Sequence, residues 1–367
     1  MRILVLANFG MGLYKFRKEL LEELIKKNNE VYVSLPKDEY VPMLEKMGCR
    51  YVQTQLERRG TNPITDIKLL FSYVTMIGRI KPDVVLTYTI KPNVYGGMAC
   101  RITKTPYIPN ITGLGTALEN SGILQRVTSC LYKVALREAS CVFVQNTENA
   151  NFMVEKGIIK GKLRLIPGSG VNLDHYQVLD YPSEDVAVRF LFISRVMKQK
   201  GIEEYLAAAK YIKDRYPKTE FHILGFCEEA YEQKLSDLDA RGIIQYHGVR
   251  NDVRKFHAIS HCTIHPTYYP EGMSNVLLES AACGRPMITT DRSGCREIVD
   301  DGINGYVVEH QNSQDLINKI EKFLSLSYEE KKQMGLAGRA KVEKEFDRQI
   351  VVDAYVEEIN EVGRGEN

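Results

Sequence analysis

The sequence predicts an α/β protein built from two doubly wound, Rossmann-like domains that face each other across a cleft. Short runs rich in Val, Ile and Leu alternate with helical patterns of roughly 10–18 residues, which is typical of βαβ units and a parallel sheet. A polar stretch over residues 172–185 interrupts this alternation, and a new buried strand begins a second series at Phe190. At 367 residues the chain is also too long for one ordinary hydrophobic core.

The first series predicts strands at residues 3–7, 30–34, 50–53, 84–87, 107–109, 142–145 and 163–166. Helices are expected between them, and the stretch 14–27 is predicted as one helix with its apolar residues on a single face. We assign this series to a first domain, residues 1–178.

The second series predicts strands at residues 190–193, 222–224, 244–247, 262–265, 287–289 and 306–308. It defines a second domain over residues 186–346, and residues 347–367 hold a final helix that we expect to cross back to the first domain. Ligands of such parallel sheets bind at the carboxyl ends of the strands.

The composition is that of an ordinary globular protein, with 44% hydrophobic and 26% charged residues. No run approaches the ~18 apolar residues of a membrane span, and the N-terminus enters a strand directly, so a signal peptide is not expected. The eight cysteines include no CxxC pair, which favours reduced thiols in a cytoplasmic protein over disulfides or a zinc site.

The net charge of +2 conceals an uneven distribution, because residues 1–180 carry +8 and the remainder carries −6. A basic first half suits an anionic ligand or surface, such as membrane phosphates. The alternative is ordinary variation of a solvated surface. Neither half is basic enough to predict nucleic-acid binding.

A glycine-containing turn follows the first strand, at residues 8–12 (Asn-Phe-Gly-Met-Gly), and a helix is expected to open near Leu13. Such a turn lets the backbone approach a ligand, and Gly12 is a candidate donor-binding residue. A dinucleotide fingerprint would need a third glycine where Lys15 stands and an acidic residue where Ser34 stands. A dehydrogenase is therefore disfavoured, and a tight turn without a ligand remains an alternative.

Two cations follow the first strand of the second domain. Arg195 and Lys200 lie in the loop 194–201, which leads into a helix near Ile202. At the carboxyl end of a strand they could hold a diphosphate, Arg195 through its planar fork and Lys200 as a point charge. Simple solvation of two surface charges is the alternative.

An acidic pair with a glycine follows the strand that ends at His265. In residues 270–279 (Pro-Glu-Gly-Met-Ser-Asn-Val-Leu-Leu-Glu), the helix is expected to begin within Gly272 to Asn275. A spacing of eight residues would then place Glu271 and Glu279 on roughly one side of that helix. A carboxylate beside a nucleotide commonly accepts hydrogen bonds from ribose hydroxyls.

These motifs together resemble the family-4 retaining glycosyltransferases of the GT-B fold. The resemblance rests on Arg195 and Lys200 (Arg-x4-Lys), on Glu271 and Glu279 (Glu-x7-Glu) and on the Pro-Gly-Ser-Gly-Val turn at 167–171. It implies an acceptor-binding first domain and a second domain that binds a nucleotide-sugar, with Arg195, Lys200 and Glu271 as the catalytic set. It also implies that Glu279 binds the ribose and that the donor meets the amides of four consecutive residues, Gly272, Met273, Ser274 and Asn275.

Motifs in the first domain further resemble enzymes that extend lipid-linked sugars for capsule, O-antigen or protein glycosylation. They are the segments 58–63, 87–93 and 110–115. The histidine that many family members place near the donor sugar is not evident. The candidates for contact with the acceptor or the donor sugar are Tyr88, Lys91, Asn110 and Thr112.

Three other patterns carry little weight. Asp237 and Asp239 spell a metal-binding DxD, but they fall in a predicted helix, 231–241, where residues i and i+2 diverge. His257, His261 and His265 repeat every four residues, but His265 belongs to a predicted strand. No Gly-x-Ser-x-Gly elbow supports a hydrolase triad. We therefore expect no metal and no cofactor.

The sequence thus predicts a metal-independent, retaining glycosyltransferase that moves a hexose or N-acetylhexosamine from a UDP-sugar to a polyprenyl-diphosphate-linked saccharide. A nucleotide-sugar epimerase and a non-catalytic nucleotide-sugar-binding protein remain alternatives. We expect a cytoplasmic protein in peripheral contact with the inner face of the plasma membrane. Two basic and apolar stretches, 57–77 and 114–135, are the candidate contact surfaces, unless their apolar residues are simply core.

Overall fold

The computed structural model describes residues 1–56, 62–115 and 122–365, which form two compact units. Unit 1 comprises Met1–Gly170 and Arg348–Asn367, and unit 2 comprises Val171–Asp347. Residues 171–178, which the sequence assigned to the first domain, therefore lie in unit 2, and the C-terminal helix lies in unit 1.

Unit 1 contains a parallel sheet of seven strands within the described residues, in the order β3-β2-β1-β4-β5-β6-β7. The strands are β1 (Arg2–Leu6), β2 (Glu30–Leu35), β3 (Arg50–Gln53), β4 (Val84–Tyr88), β5 (Tyr107–Ile111), β6 (Val142–Val144) and β7 (Leu163–Leu165). They confirm the predicted strands, with ends that differ by one or two residues. The order reverses between β1 and β4, which is the switch point of this sheet.

Helices cover both faces of this sheet. They are α1 (Gly10–Phe16), α2 (Lys18–Lys26), α3 (Val41–Lys46), α4 (Pro63–Ile80), a π-helical turn (Pro92–Gly96) that continues into α5 (Gly97–Thr103), α6 (Ile123–Ala135) and α7 (Thr147–Glu155). Strand β1 is buried on both sides: Ile3 and Val5 pack into one apolar cluster, and Leu4 and Leu6 into another. This burial on both sides explains why the sequence of β1 is a continuous apolar run.

The prediction of one helix over residues 14–27 is wrong. The helix begins at Gly10 and is interrupted at Arg17, whose φ of −134° and ψ of 8° lie outside the helical range, so that α1 and α2 are separate. The first amide of α1 is already bonded, because Gly10 N donates to Asp38 Oδ2 at 2.5 Å.

Unit 2 contains a parallel sheet of six strands in the order β10-β9-β8-β11-β12-β13. The strands are β8 (Val188–Ile193), β9 (Thr219–Leu224), β10 (Gln245–Tyr246), β11 (Cys262–His265), β12 (Met287–Thr290) and β13 (Gly305–Val308). They also confirm the predicted series. The switch point of this sheet lies between β8 and β11.

The helices of unit 2 follow its strands in βαβ connections. After a short 3₁₀ turn (Lys198–Lys200) they are α8 (Ile202–Arg215), α9 (Glu232–Ala240), α10 (Arg254–Ile259), α11 (Asn275–Ala282), α12 (Ser313–Ser325) and α13 (Tyr328–Glu345).

The last helix, α14 (Arg348–Arg364), completes the core of unit 1. Its Tyr355 is fully buried, with its ring 4.4 Å from that of Phe143 between centroids. Arg348 opens the helix and is also buried; it pairs with Glu19 at 2.8 Å and donates to the carbonyls of Ser169 and Gly170. In the part of the chain that the structure describes, no helix is both long enough and apolar enough to cross a membrane.

Candidate functional site

The first element of the candidate site is the loop that follows β8. Arg195 lies one residue beyond Ser194, and its Nη1 is 2.5 Å from Glu228 Oε2 in the loop after β9. About a quarter of the side chain, 27%, stays exposed, so the guanidinium is accessible from solvent. Gly225, with a φ of +141°, allows this arrangement, since a Cβ there would overlap the Ser194 carbonyl oxygen.

Lys200 is held by the 3₁₀ turn that ends the same loop. Gly201 follows it with a φ of +77° and packs so closely on the Pro266 carbonyl, just after β11, that a Cβ would overlap that oxygen. The Lys200 side chain is only 8% exposed and forms an ion pair with Glu271. The close approach at Gly201 therefore fixes the buried ammonium beside the loop that follows β11.

Tyr269 joins the two cations, and sequence reasoning missed it. Its ring centroid is 5.3 Å from Arg195 Cζ and 4.7 Å from Lys200 Nζ, both within the range of cation–π attraction. The two cations predicted from the sequence thus lie around one aromatic ring at the switch point of unit 2. The only sequence signal was a pair of tyrosines before Pro270, directly after the predicted strand.

The acidic motif is arranged differently from the prediction. Helix α11 begins at Asn275 and is capped by Ser274, whose Oγ accepts from Leu277 N at 3.5 Å. Glu271 therefore precedes the helix, and the expectation that it shares a helical face with Glu279 is wrong. Glu271 lies instead on the connecting loop, where it meets Lys200, while the half-buried Glu279 lies on α11.

The segment before α11 is fixed by a neighbouring loop. Ser274 N donates to the Gly294 carbonyl at 2.8 Å, and Gly294 has a φ of +86°. A Cβ at Gly294 would come within 2.9 Å of the Gly272 carbonyl oxygen. Gly272 and Met273 are buried in this contact, and Asn275 is half-buried. The position of this segment therefore depends on the close approach at Gly294.

Burial controls the protonation of His265, which ends β11. Its Nε2 is 4.0 Å from Glu271 Oε1, and neither ring nitrogen has a hydrogen-bond partner in the part of the chain that the structure describes. Burial, together with the charge of Lys200 and partly opposed by Glu271, lowers the pKa of His265 to about 4. The imidazole beside the ion pair is therefore neutral at physiological pH.

The DxD pair and the three histidines that were considered as metal ligands lie on different elements. Asp237 and Asp239 lie on α9, as predicted, and Asp237 accepts from Gln233 one turn away. His257 is buried on α10, whereas His261 Nδ1 accepts from Arg189 N at 3.1 Å. Over residues 1–56, 62–115 and 122–365, no three His, Cys, Asp or Glu side chains are grouped to hold a metal ion.

In unit 1, two of the candidate residues are engaged in hydrogen bonds or an ion pair. Asn110 is fully buried; its Nδ2 donates to Tyr355 Oη at 2.6 Å, and its Oδ1 accepts from Gln145 at 3.2 Å. Lys91 Nζ pairs with Asp66 Oδ1 at 2.7 Å. Asn110 thus holds the C-terminal helix, and Lys91 braces α4.

The other candidates of unit 1 lie near the ends of its strands. Gly12 lies within α1, close against the Phe9 ring. Tyr88 ends β4 and is buried, and Thr112, just after β5, is half-buried. The segment 57–61, which contains part of the motif at 58–63, lies outside the described residues. So does the segment 116–121, which contains Leu118 of the basic and apolar stretch 114–135.

Comparison with known proteins identifies the family of both units. Residues 2–146 match the family described as Glycosyl transferase 4-like, and residues 182–341 match Glycosyl transferases group 1. The chain is 27% identical over 375 residues to the N,N'-diacetylbacillosaminyl-diphospho-undecaprenol alpha-1,3-N-acetylgalactosaminyltransferase of Campylobacter jejuni, covering 97% of each chain.

Two further similarities agree with this match. The chain is 24% identical over 281 residues to the UDP-Gal:alpha-D-GlcNAc-diphosphoundecaprenol alpha-1,3-galactosyltransferase of Escherichia coli, covering 71% of each chain. Anabaena HepE, solved in complex with UDP and glucose, superimposes with a TM-score of 0.80 at 19% identity, over 98% of this chain and 99% of HepE. The chain therefore belongs to the family-4 glycosyltransferases of the GT-B fold.

Proposed function

We propose that this glycosyltransferase moves a hexose or an N-acetylhexosamine from a UDP-sugar to a polyprenyl-diphosphate-linked saccharide during assembly of a surface polysaccharide or glycan. The observation that carries the proposal is the pair of cations, Arg195 and Lys200, around the Tyr269 ring. The C. jejuni and E. coli relatives support the acceptor class, since both are named for saccharides on undecaprenol diphosphate.

Arg195 and Lys200 would bind the diphosphate of the donor. As the bond between sugar and diphosphate breaks, negative charge grows on the departing oxygens, and two fixed cations stabilise that charge more in the transition state than in the ground state. Lys200 is buried, so its attraction for an anion is weakened less by water than that of a surface lysine. Arg195 adds a planar fork that can bind two oxygens at once.

Glu271 and Glu279 would have separate tasks. Glu271 pairs with Lys200 in the structure and would orient that ammonium while it meets the donor sugar. Glu279, on α11, would accept hydrogen bonds from the ribose hydroxyls. The amides of Gly272, Met273, Ser274 and Asn275 would meet the sugar and phosphates in the segment before and at the start of the helix.

The transfer would retain the configuration of the anomeric carbon and would use no metal ion. The departing phosphate oxygen would assist deprotonation of the acceptor hydroxyl, so the mechanism assigns no protein side chain as the base. In unit 1, Gly12, Tyr88 and Thr112 would contribute to the sugar and acceptor sites, together with the charge of Lys91. Asn110 would act indirectly, by holding Tyr355.

Kinetics of loop variants test the diphosphate assignment. We expect Arg195→Ala and Lys200→Ala each to lower kcat/KM by about 10²–10³-fold, which corresponds to the loss of about 2.7–4 kcal/mol of transition-state stabilisation. Arg195→Lys should also be poorly tolerated because the planar fork is lost. Lys198→Ala, which removes an exposed cation from the same loop, is the matched control and should be near wild type.

The donor and the reaction class are tested separately. Radiolabelled UDP-hexoses and UDP-N-acetylhexosamines, each supplied with and without a lipid-linked saccharide, should give labelled lipid only when the acceptor is present. Conversion of the UDP-sugar without acceptor would indicate an epimerase, and binding without either product would indicate a non-catalytic binder. Near-normal kcat/KM in both Ala variants would exclude the proposed diphosphate site.

Unit 1 has an exposed helical surface suited to the membrane that carries such an acceptor. On α6, the side chains of Ile123, Val127 and Val134 are 81%, 51% and 44% exposed, and their spacing places them on one side of the helix. Arg126 and Lys133 are exposed along one edge of this stripe. On α4, Ile64, Ile67 and Phe71 are likewise exposed, beside Lys68.

We assign this surface to the anionic inner face of the plasma membrane, where a peripheral enzyme would reach a polyprenyl-linked substrate. Apolar side chains contribute burial at the interface, and each Lys or Arg near an anionic surface contributes about 1 kcal/mol. The +8 charge of residues 1–180 has the matching sign.

Vesicle flotation tests the membrane contact. The enzyme should float with anionic vesicles and not with neutral ones, and salt should weaken the binding. Val127→Asp with Val134→Asp should abolish flotation, whereas Ile303→Asp, at a 63% exposed position of unit 2, is the matched control. Recovery in the soluble fraction with both lipids would exclude the contact.

A further inference from the structure

Four buried polar atoms that have no hydrogen-bond partner among the described residues lie near the switch point of unit 1. They are Asn8 Oδ1, Arg17 Nε, Tyr88 Oη and Thr89 Oγ1. The register pairs Leu6 with Thr87, so the residues that follow these strands, among them Asn8 and Thr89, emerge side by side at the carboxyl ends of β1 and β4. We call these four residues the β1–β4 cluster.

Arg17 supplies the charge of this cluster. The break between α1 and α2 places it there, and the residue is only 5% exposed. Its guanidinium carbon is 5.1 Å from the centroid of the Tyr88 ring, and Nη1 donates to the Phe16 carbonyl at 2.8 Å. Within residues 1–56, 62–115 and 122–365, no carboxylate forms an ion pair with Arg17. A buried cation without a counter-ion is costly, so an anionic ligand would be favoured there.

Thr89 adds a strained backbone at the same place. Its φ is +71°, in the left-handed region that a β-branched residue rarely adopts. Such strain persists where the surrounding structure enforces it, and it is concentrated at ligand sites. Asn8 and Thr89 are the half-buried members of the cluster, and Arg17 and Tyr88 are its buried members.

The β1–β4 cluster differs from an anion site formed by the N-terminal amides of a helix. The first amide of α1 is taken by Asp38, so an anion at this end of the sheet would depend on the guanidinium and hydroxyls instead. One arginine with two hydroxyls matches a phosphate group, which accepts several charge-assisted hydrogen bonds at once. Parallel sheets hold their ligands at the switch point.

We propose that the β1–β4 cluster binds a phosphate of the acceptor's diphosphate, with Arg17 as the residue that distinguishes a lipid-diphosphate-linked saccharide from a neutral one. This inference rests on the proposed function, and it deepens that function by assigning the recognition of the acceptor's charged group to unit 1. Arg17 was not among the residues that the sequence singled out, whereas Tyr88 was a candidate and Thr89 lies in the segment 87–93.

Two acceptors that carry the same saccharide test the proposal, one on undecaprenyl diphosphate and one on a neutral octyl group. Arg17→Met should raise the KM for the diphosphate acceptor about 10- to 100-fold, the range expected for loss of a charge-assisted contact. The KM values for the octyl acceptor and for the UDP-sugar should change little. Lys15→Met, which removes an exposed cation from α1, is the matched control.

A second measurement does not depend on the folding of Arg17→Met. With the UDP-sugar at saturation, inorganic pyrophosphate should inhibit the wild type competitively against the diphosphate acceptor, and less so in Arg17→Lys. Competition against the UDP-sugar alone, or an unchanged acceptor KM in a folded Arg17→Met enzyme, would overturn the inference while leaving the proposed function standing. No transfer from any UDP-sugar by the wild type would overturn both.

Discussion

Mild acid should destabilise unit 2 through two of its buried histidines. Burial lowers the pKa of His257 to about 3 and that of His265 to about 4. An unfolded histidine has a pKa of about 6.5, so between these values the unfolded chain binds more protons than the folded one. Stability therefore rises with pH across this window, and it is lost as the pH falls below about 6.5.

The size of the effect follows from the same values. At pH 5 each unfolded histidine is almost fully protonated while the folded one is neutral, and this difference costs about 2 kcal/mol per histidine. His257 and His265 together would remove about 4 kcal/mol, a large part of the 5–15 kcal/mol that typically stabilises a folded protein. The lowered pKa of His261, also about 4, acts in the same direction.

Urea denaturation followed by circular dichroism between pH 7.5 and pH 5 measures this loss, and hydrogen exchange locates it in unit 2. The double variant His257→Gln with His265→Gln should be less sensitive to acid than the wild type, whatever its stability at pH 7.5. His310→Gln, at a position whose side chain is 37% exposed, controls for the substitution itself. An equal acid dependence in the double variant and the wild type would refute the reasoning.

Three further outcomes are expected. Activity should survive EDTA. A complete loss of activity that Mg²⁺ or Mn²⁺ restores would contradict this prediction, and Asp237 and Asp239 would again be candidate metal ligands. Tyr355→Phe should lower the free energy of unfolding in urea by about 1–3 kcal/mol, because the buried Asn110 amide loses its acceptor, and an unchanged midpoint would argue against that bond. Gly201→Ala should abolish the thermal stabilisation by UDP-sugars, whereas Gly242→Ala, which has a similar φ of +66° but open space around it, should retain it.

The strands could be predicted from the sequence largely because the central ones, such as β1, β4 and β11, are buried on both faces. Runs such as residues 3–6 and 190–193 are apolar throughout, and in an α/β chain they have few other interpretations. Arg195 and Lys200 were chosen as candidate site residues for a related reason, since the residues just after such strands lie where ligands of parallel sheets bind.

The features that could not be predicted from the sequence depend on contacts between residues that are far apart in the chain. Arg17 and its neighbours are good helix formers, so nothing local predicts a break between α1 and α2. Tyr269 meets cations about 70 residues earlier in the chain, which no periodicity encodes. The start of α11 was predictable in principle, because Ser274 is a strong N-cap residue, and using it would have moved Glu271 off the helix.

The membership of α14 in unit 1 has a consequence for biosynthesis. Unit 2 is continuous in sequence and can fold as soon as it leaves the ribosome, but unit 1 combines segments that precede and follow it, Met1–Gly170 and Arg348–Asn367. Its sheet therefore waits through the translation of unit 2, on the order of 10–40 s at common elongation rates, before Tyr355 can fill the space beside Phe143. We expect the nascent N-terminal half to keep apolar surface exposed during this interval, and to be the part of the chain that depends most on chaperones.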